Sequence, residues 1–137
     1  MAAIKSKNTK PEVFLRKMLH HIGYRYSLHP VNVPGKPDIY LKKYNTVIFV
    51  NGCFWHRHKN CKYAYIPKSN RDFWQLKFEN NKKRDQIVKT QIINSHLKML
   101  VVWECTLKRV MKNPDDKGKL LVEIVSFLNS DMDYLEL

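Results

Sequence analysis

The sequence has 137 residues, 44% of them apolar and 12% aromatic, and a formal net charge of +13. That is one domain's worth of chain with apolar content for a single core, which argues against a disordered tail. No apolar run approaches the roughly 20 residues that span a bilayer, which argues against a membrane helix. Residues 1–112 carry 23 Lys and Arg against 6 Asp and Glu, whereas 113–137 carry 2 against 6. An excess so placed points to a polyanion, with nucleic acid ahead of anionic membrane because no basic amphipathic helix stands out. The alternative is a merely soluble basic protein. The opening MAAIKSKNTK lacks the apolar stretch of a secretory signal, so a single cytoplasmic domain over 1–137, acting as a monomer, is expected. In that compartment Cys53, Cys61 and Cys105 read as metal ligands or buried thiols rather than disulfides.

Along the chain, Thr9 can cap a helix with Pro11 in its first turn and Glu12 three residues after the cap. Leu15, Met18, Leu19 and Ile22 mark its apolar face, and Gly23 ends it. A short strand over 24–28 follows, then a Pro34-Gly35 turn. The β-rich runs 37–41 and 46–50, joined by 42–45, read as a hairpin, and VIFV, apolar on both faces, reads as a central strand. Residues 52–70 have no period and form a loop too long to be idle. A long helix over 72–96, a buried strand over 97–103 and a closing helix over 117–128 complete the order α, β, β, β, loop, α, β, α. This predicts an α/β fold, a mixed sheet of about four strands flanked by helices.

Cys53, His58 and Cys61 lie within nine residues, and Cys105 sits just past the strand 97–103. Zinc takes four thiolate or imidazole ligands, so these four could form a Cys3His site that orders the loop. The alternative is that Cys53 and Cys105 are core thiols. His56 lies in the same stretch, and alternation along an extended chain does not choose between it and His58. Asp38, opening a β run after the Pro-Gly turn, is placed to hold a divalent cation against a phosphate, or is only a turn residue. Nucleases that pair such an aspartate with an acid-x-lysine on the next strand find no match here, because that stretch is Val50-Asn51-Gly52. On the long helix, Trp74, Phe78, Asn81, Asp85, Val88 and Ile92 share one stripe. Asn81 and Asp85 on an inward face need partners; Asp85 either anchors His56 or a zinc ligand, or pairs with a nearby Lys or Arg.

The blocks PGKPD, VIFVNGCFWH and LVVWEC, in that order, resemble the very-short-patch repair endonucleases, the Vsr family, over about Ile4 to Arg109. The resemblance implies a restriction-endonuclease-like fold, a structural zinc, magnesium-dependent catalysis, and nicking of one strand of double-stranded DNA at a thymine–guanine mismatch left by deamination of 5-methylcytosine. It assigns Asp38 as the magnesium aspartate, Val50 as a main-chain carbonyl ligand, His56 as general base or phosphate contact, and Glu12 as support for the metal waters. It assigns Cys53, His58, Cys61 and Cys105 to zinc, and Phe54, Trp55 and Trp74 to a wedge inserted beside the mismatch. Lys82, Lys83 and Arg84 would neutralise phosphates. The chain departs from the pattern in three places. Asn51 stands where some members carry a second active-site histidine, two residues rather than one separate His58 from Cys61, and Lys5, Lys7 and Lys10 stand where members often carry a longer basic arm. A zinc-stabilised DNA-binding module without catalysis, and a same-fold nuclease of restriction or mobile DNA, are the competing readings.

Overall fold

A computed structural model describes residues 8–137, so Lys5 and Lys7 lie outside the described residues. Helix α1 (Lys10–His21) starts where the cap chemistry requires. Thr9 is extended and its Oγ1 accepts the Glu12 N–H at 3.3 Å. Glu12 reaches back to the N–H of Asn8 at 2.5 Å, one residue before the usual capping-box partner. Gly23, at φ +99°, turns the chain out of the helix. Leu15, Met18 and Leu19 are buried, whereas Ile22 falls at the C-cap and is exposed, so it is not part of the inward face.

The sheet has five strands in sequential order: β1 (Ser27–Leu28), β2 (Ile39–Leu41), β3 (Thr46–Asn51), β4 (Lys98–Trp103) and β5 (Tyr134–Glu136). β1, β2 and β3 pair antiparallel, and β3, β4 and β5 pair parallel. The expected four strands become five because the acidic C-terminal segment adds a parallel edge strand, held also by Trp103 N–H on the Leu137 carbonyl at 2.9 Å. β1 and β2 are shorter than their β-rich runs, since pairing, not propensity, bounds a strand. Alternation sends Ile48, Leu100 and Val102 to one face, against α1, α3 (Glu104–Lys112) and α4 (Lys117–Leu128). Val47, Met99, Val101 and Trp103 go to the other face, with Ile92 of α2 (Arg71–Asn94) and Cys53 of the 52–70 loop.

Lys98 closes the C-terminal end of α4. Its Nζ donates to the Phe127 and Ser130 carbonyls at 2.5 and 2.7 Å, a cation on a helix C-terminus. On α2 the stripe faces inward as the 3.6 period requires: Phe78 and Ile92 are buried, and Trp74, Asn81, Asp85 and Val88 are half-buried. At the facing Pro34-Gly35 turn, Gly35 sits at φ +77°, and a Cβ built on it would lie 2.2 Å from Val88 Cγ1. The turn that presents Asp38 therefore packs on α2 as closely as a glycine permits.

Candidate active site and metal centre

The long loop folds back on itself and brings one Cys/His group together. The ligand atoms of Cys53, His58, Cys61 and Cys105 all lie within 4.8 Å of one another. The His58 N–H donates to the Cys53 carbonyl at 3.0 Å and the Ala64 N–H to that of Cys61 at 3.1 Å. Cys105, just past the end of β4, lies in the first turn of α3. Its Sγ is 3.4 Å from His58 Nδ1. His58 also stacks on Trp103, centroids 4.1 Å apart and 6° from parallel, and Trp103 Nε1–H donates to Glu136 at 2.9 Å. Burial pushes the Cys53 thiol up to about 12, with the Cys105 thiol beside it. Burial also raises Cys61, but N–H donors from Tyr63 and Ala64 and the neighbouring thiols outweigh it, leaving that thiol below its usual value. Three sulfurs and an imidazole fit a thiophilic dication, which would hold all three as thiolates.

A second group forms where α1 meets the β1–β2 hairpin. Ligand atoms of Glu12, His29 and Asp38 lie within 4.8 Å of one another. Asp38 Oδ2 accepts the Val50 N–H at 2.7 Å, so β3 holds the carboxylate in place. Burial, and Glu12 close enough to share a proton, push the Asp38 carboxyl up to about 8, against the lowering effect of the Val50 N–H. The Glu12 side chain is 2% exposed, and its Oε1 is buried without a hydrogen-bond partner. Two carboxylates with a buried, unsatisfied oxygen fit a hard divalent cation. α1 thus brings a second acid beside Asp38, where β3 carries none.

His56 stands apart from both groups. Its Nδ1 meets Asp85 Oδ2 at 2.8 Å, and Asn81 Nδ2 donates to the Trp55 carbonyl at 3.2 Å, so both polar residues of the stripe have partners on the loop. Because the carboxylate only accepts, Nδ1 carries the proton and Nε2 of the neutral ring keeps a lone pair. His56 and Asn51 line a cleft of about 1150 Å³ between α2 and the sheet. Its charged lining is Lys36, Arg57, Lys59, Lys77, Lys82, Arg84 and Lys89 against Asp85 and Glu136. Lys83 is exposed and is not among the lining residues. Beside the cleft, Phe54 packs against Trp55, Tyr65, Trp74 and Phe78, centroids 5.1–5.5 Å apart. Arg57 lies 3.9 Å over the Phe78 ring and donates to the Ala64 carbonyl at 2.8 Å, tying loop to helix.

Residues 1–63 match the family described as DNA mismatch endonuclease Vsr. The DNA mismatch endonuclease Vsr of Escherichia coli K12 is 33% identical over 85% of this chain and 74% of its own. The chain belongs to the Vsr family. It is also similar to two proteins named type II nicking enzymes. One, from Neisseria meningitidis serogroup A, is 49% identical over 90% of this chain and 88% of its own; the other, from Xanthomonas oryzae pv. oryzae, is 44% identical over 78% of each.

In this Vsr chain the structure brings His58, not His56, to the cysteines, and Asp85 to His56 rather than to a cation or a zinc ligand. Glu12 and Asp38 meet, and Val50 touches Asp38 through its N–H. Phe54, Trp55 and Trp74 form one half-buried aromatic plate. Sequence reasoning missed His29. The register Leu28↔Ile39 is what carries it to Asp38, and nothing in the local pattern announces that register.

Proposed function

We propose that this endonuclease nicks one strand of double-stranded DNA at a thymine–guanine mismatch, using magnesium at Asp38, with zinc holding the 52–70 loop. The observation that carries the reading is the Glu12–Asp38 carboxylate pair, with its unsatisfied oxygen, which α1 and the residue preceding β2 bring together. The topology, an antiparallel hairpin bearing the acid followed by a helical crossover to a parallel strand, suits a restriction-endonuclease-like fold. A divalent cation bound at the carboxylates would neutralise the phosphate, polarise the attacking water and support the leaving oxygen. Asp38, fixed by the Val50 N–H, and Glu12 would hold that charge in place. His56, oriented by Asp85, offers its free Nε2 to take a proton from water or to contact the phosphate. Asn51 borders the same cleft and is a candidate to orient a phosphate oxygen. Lys82 and Arg84 would neutralise flanking phosphates. Phe54, Trp55 and Trp74 would wedge beside the mismatch, where unstacking costs less than at a paired step.

The test is a nicking assay on a thymine–guanine duplex and its fully paired control, with magnesium and with chelator. Nicking of the mismatched strand is expected, with loss on chelation and a drop of at least about 10³-fold in Asp38→Ala, the scale of losing the charge-stabilising group. An unchanged trace in Asp38→Ala would leave a DNA-binding module without catalysis. Equal rates on both duplexes would favour a role in restriction or mobile DNA, a reading to which the type II nicking relatives lend support.

A further inference from the structure

We propose that His29 supplies a nitrogen ligand to the cation held by Glu12 and Asp38, making the site a two-carboxylate, one-imidazole centre. The inference rests on Asp38 being the metal aspartate, and concerns what else binds there.

The backbone aims His29 at the site. Its N–H donates to the Asp38 carbonyl at 3.1 Å, so the two residues face each other across the β1–β2 pairing. Its φ of +48° is left-handed, a region a non-glycine residue seldom occupies and one that recurs at functional positions.

The side chains supply the decisive observation. Glu12 divides its two oxygens: Oε2 accepts from Asn8 and Arg16, while Oε1 is buried and has no hydrogen-bond partner. His29 Nε2 is likewise buried and has none. These two atoms face each other at 3.6 Å. That is beyond the roughly 3.2 Å limit of a good N–H···O bond, and buried polar atoms of this kind need a partner. A cation about 2.1 Å from each ligand atom sets any two of its ligands roughly 3.0–4.2 Å apart. The separation of 3.6 Å falls in that window. One ion satisfies Glu12 Oε1, His29 Nε2 and the Asp38 carboxylate together. An imidazole among the donors also shifts preference from magnesium towards first-row transition ions such as manganese and cobalt.

Manganese serves as the probe, because it is paramagnetic and the zinc of a zinc-replete chain is silent. Mn2+ is titrated into the full chain by electron paramagnetic resonance, and the bound ion is examined by electron spin echo modulation for a directly bonded imidazole nitrogen. A nitrogen coupling is expected in the wild type and in His56→Ala, and is expected to vanish in His29→Gln and His29→Ala. Mn2+ affinity should fall at least about tenfold in the His29 variants, and Mg2+ affinity, measured by competition, should fall less. Tightly bound Mn2+ with no imidazole coupling in the wild type overturns the proposal and needs no variant. So does a coupling that persists in His29→Gln, or affinity within twofold of wild type there. Asp38→Asn separates the two readings. Loss of Mn2+ binding in that variant keeps Asp38 as the metal aspartate even if His29 fails, whereas undiminished binding removes both.

Discussion

At the scale of single residues, Asp38 shows how a buried carboxyl beside a second acid affects stability. Its carboxyl is raised from 3.8 to about 8 by burial and by Glu12. Between those two values the folded metal-free protein binds a proton there that the unfolded chain has released. Stability from this group is therefore complete at low pH and is lost as pH rises through about 8. We expect the metal-free protein to lose thermal stability from about pH 4 to about pH 8 relative to Asp38→Asn, and magnesium to reverse that loss. Thermal melts of both proteins across that range, with and without magnesium, check it, and coincident wild-type and variant profiles would contradict it. The same residue marks how much of the site was legible. Asp38, His56 and the four Cys/His residues stand out as residue types in a pattern. The choice of His58 over His56 came from family resemblance, because alternation along the loop gives no preference. His29 and the Glu12–Asp38 contact depend on strand register and helix docking, and a linear pattern encodes neither.

At the scale of elements, the readable ones carried their own punctuation. α1 has Thr9, Pro11 and Gly23 at its ends, and α2 declares itself by its stripe, two polar members of which prove to be the contacts to the loop. α3 and β5 carried no such marks. α3 is nine residues long and follows directly on β4, while β5 has three residues and exists by pairing with a parallel neighbour. The packing of α2 on the Pro-Gly turn gives a sharper test of how elements position the site. Gly35→Ala meets both a left-handed φ and Val88 Cγ1 at 2.2 Å. A loss of about 1–3 kcal/mol is expected from overpacking and strain. Val88→Ala in the same chain should recover part of it, since the contact is relieved but the φ is not. Chemical denaturation of the two single variants and the double gives the coupling directly; strict additivity would mean that the turn does not bear on α2.

For the whole molecule, the question is where the +13 charge works. The cleft beside His56 carries seven cations against two acids, and it lies on the α2 face of the sheet. α4, with Lys117 and Lys119 exposed or half-exposed, packs on the opposite face and is followed by the acidic segment that ends in β5. Duplex DNA seated on the α2 face would meet Lys82 and Arg84 near the half-buried aromatic plate, while the α4 face would stay in solvent. Each phosphate contact contributes close to one unit to the slope of log affinity against log salt. Replacing Lys82 and Arg84 by alanine should therefore weaken binding to mismatched and paired duplexes alike and flatten that slope by about 2. Replacing Lys117 and Lys119 should leave the slope within about 0.5 of wild type, because those charges face away from the cleft. Binding isotherms from roughly 50 to 200 mM salt resolve a difference of that size. Equal slopes for the two double variants would show that the charge acts as a diffuse field rather than through a seated duplex, and would remove the α2 face as the place where DNA docks.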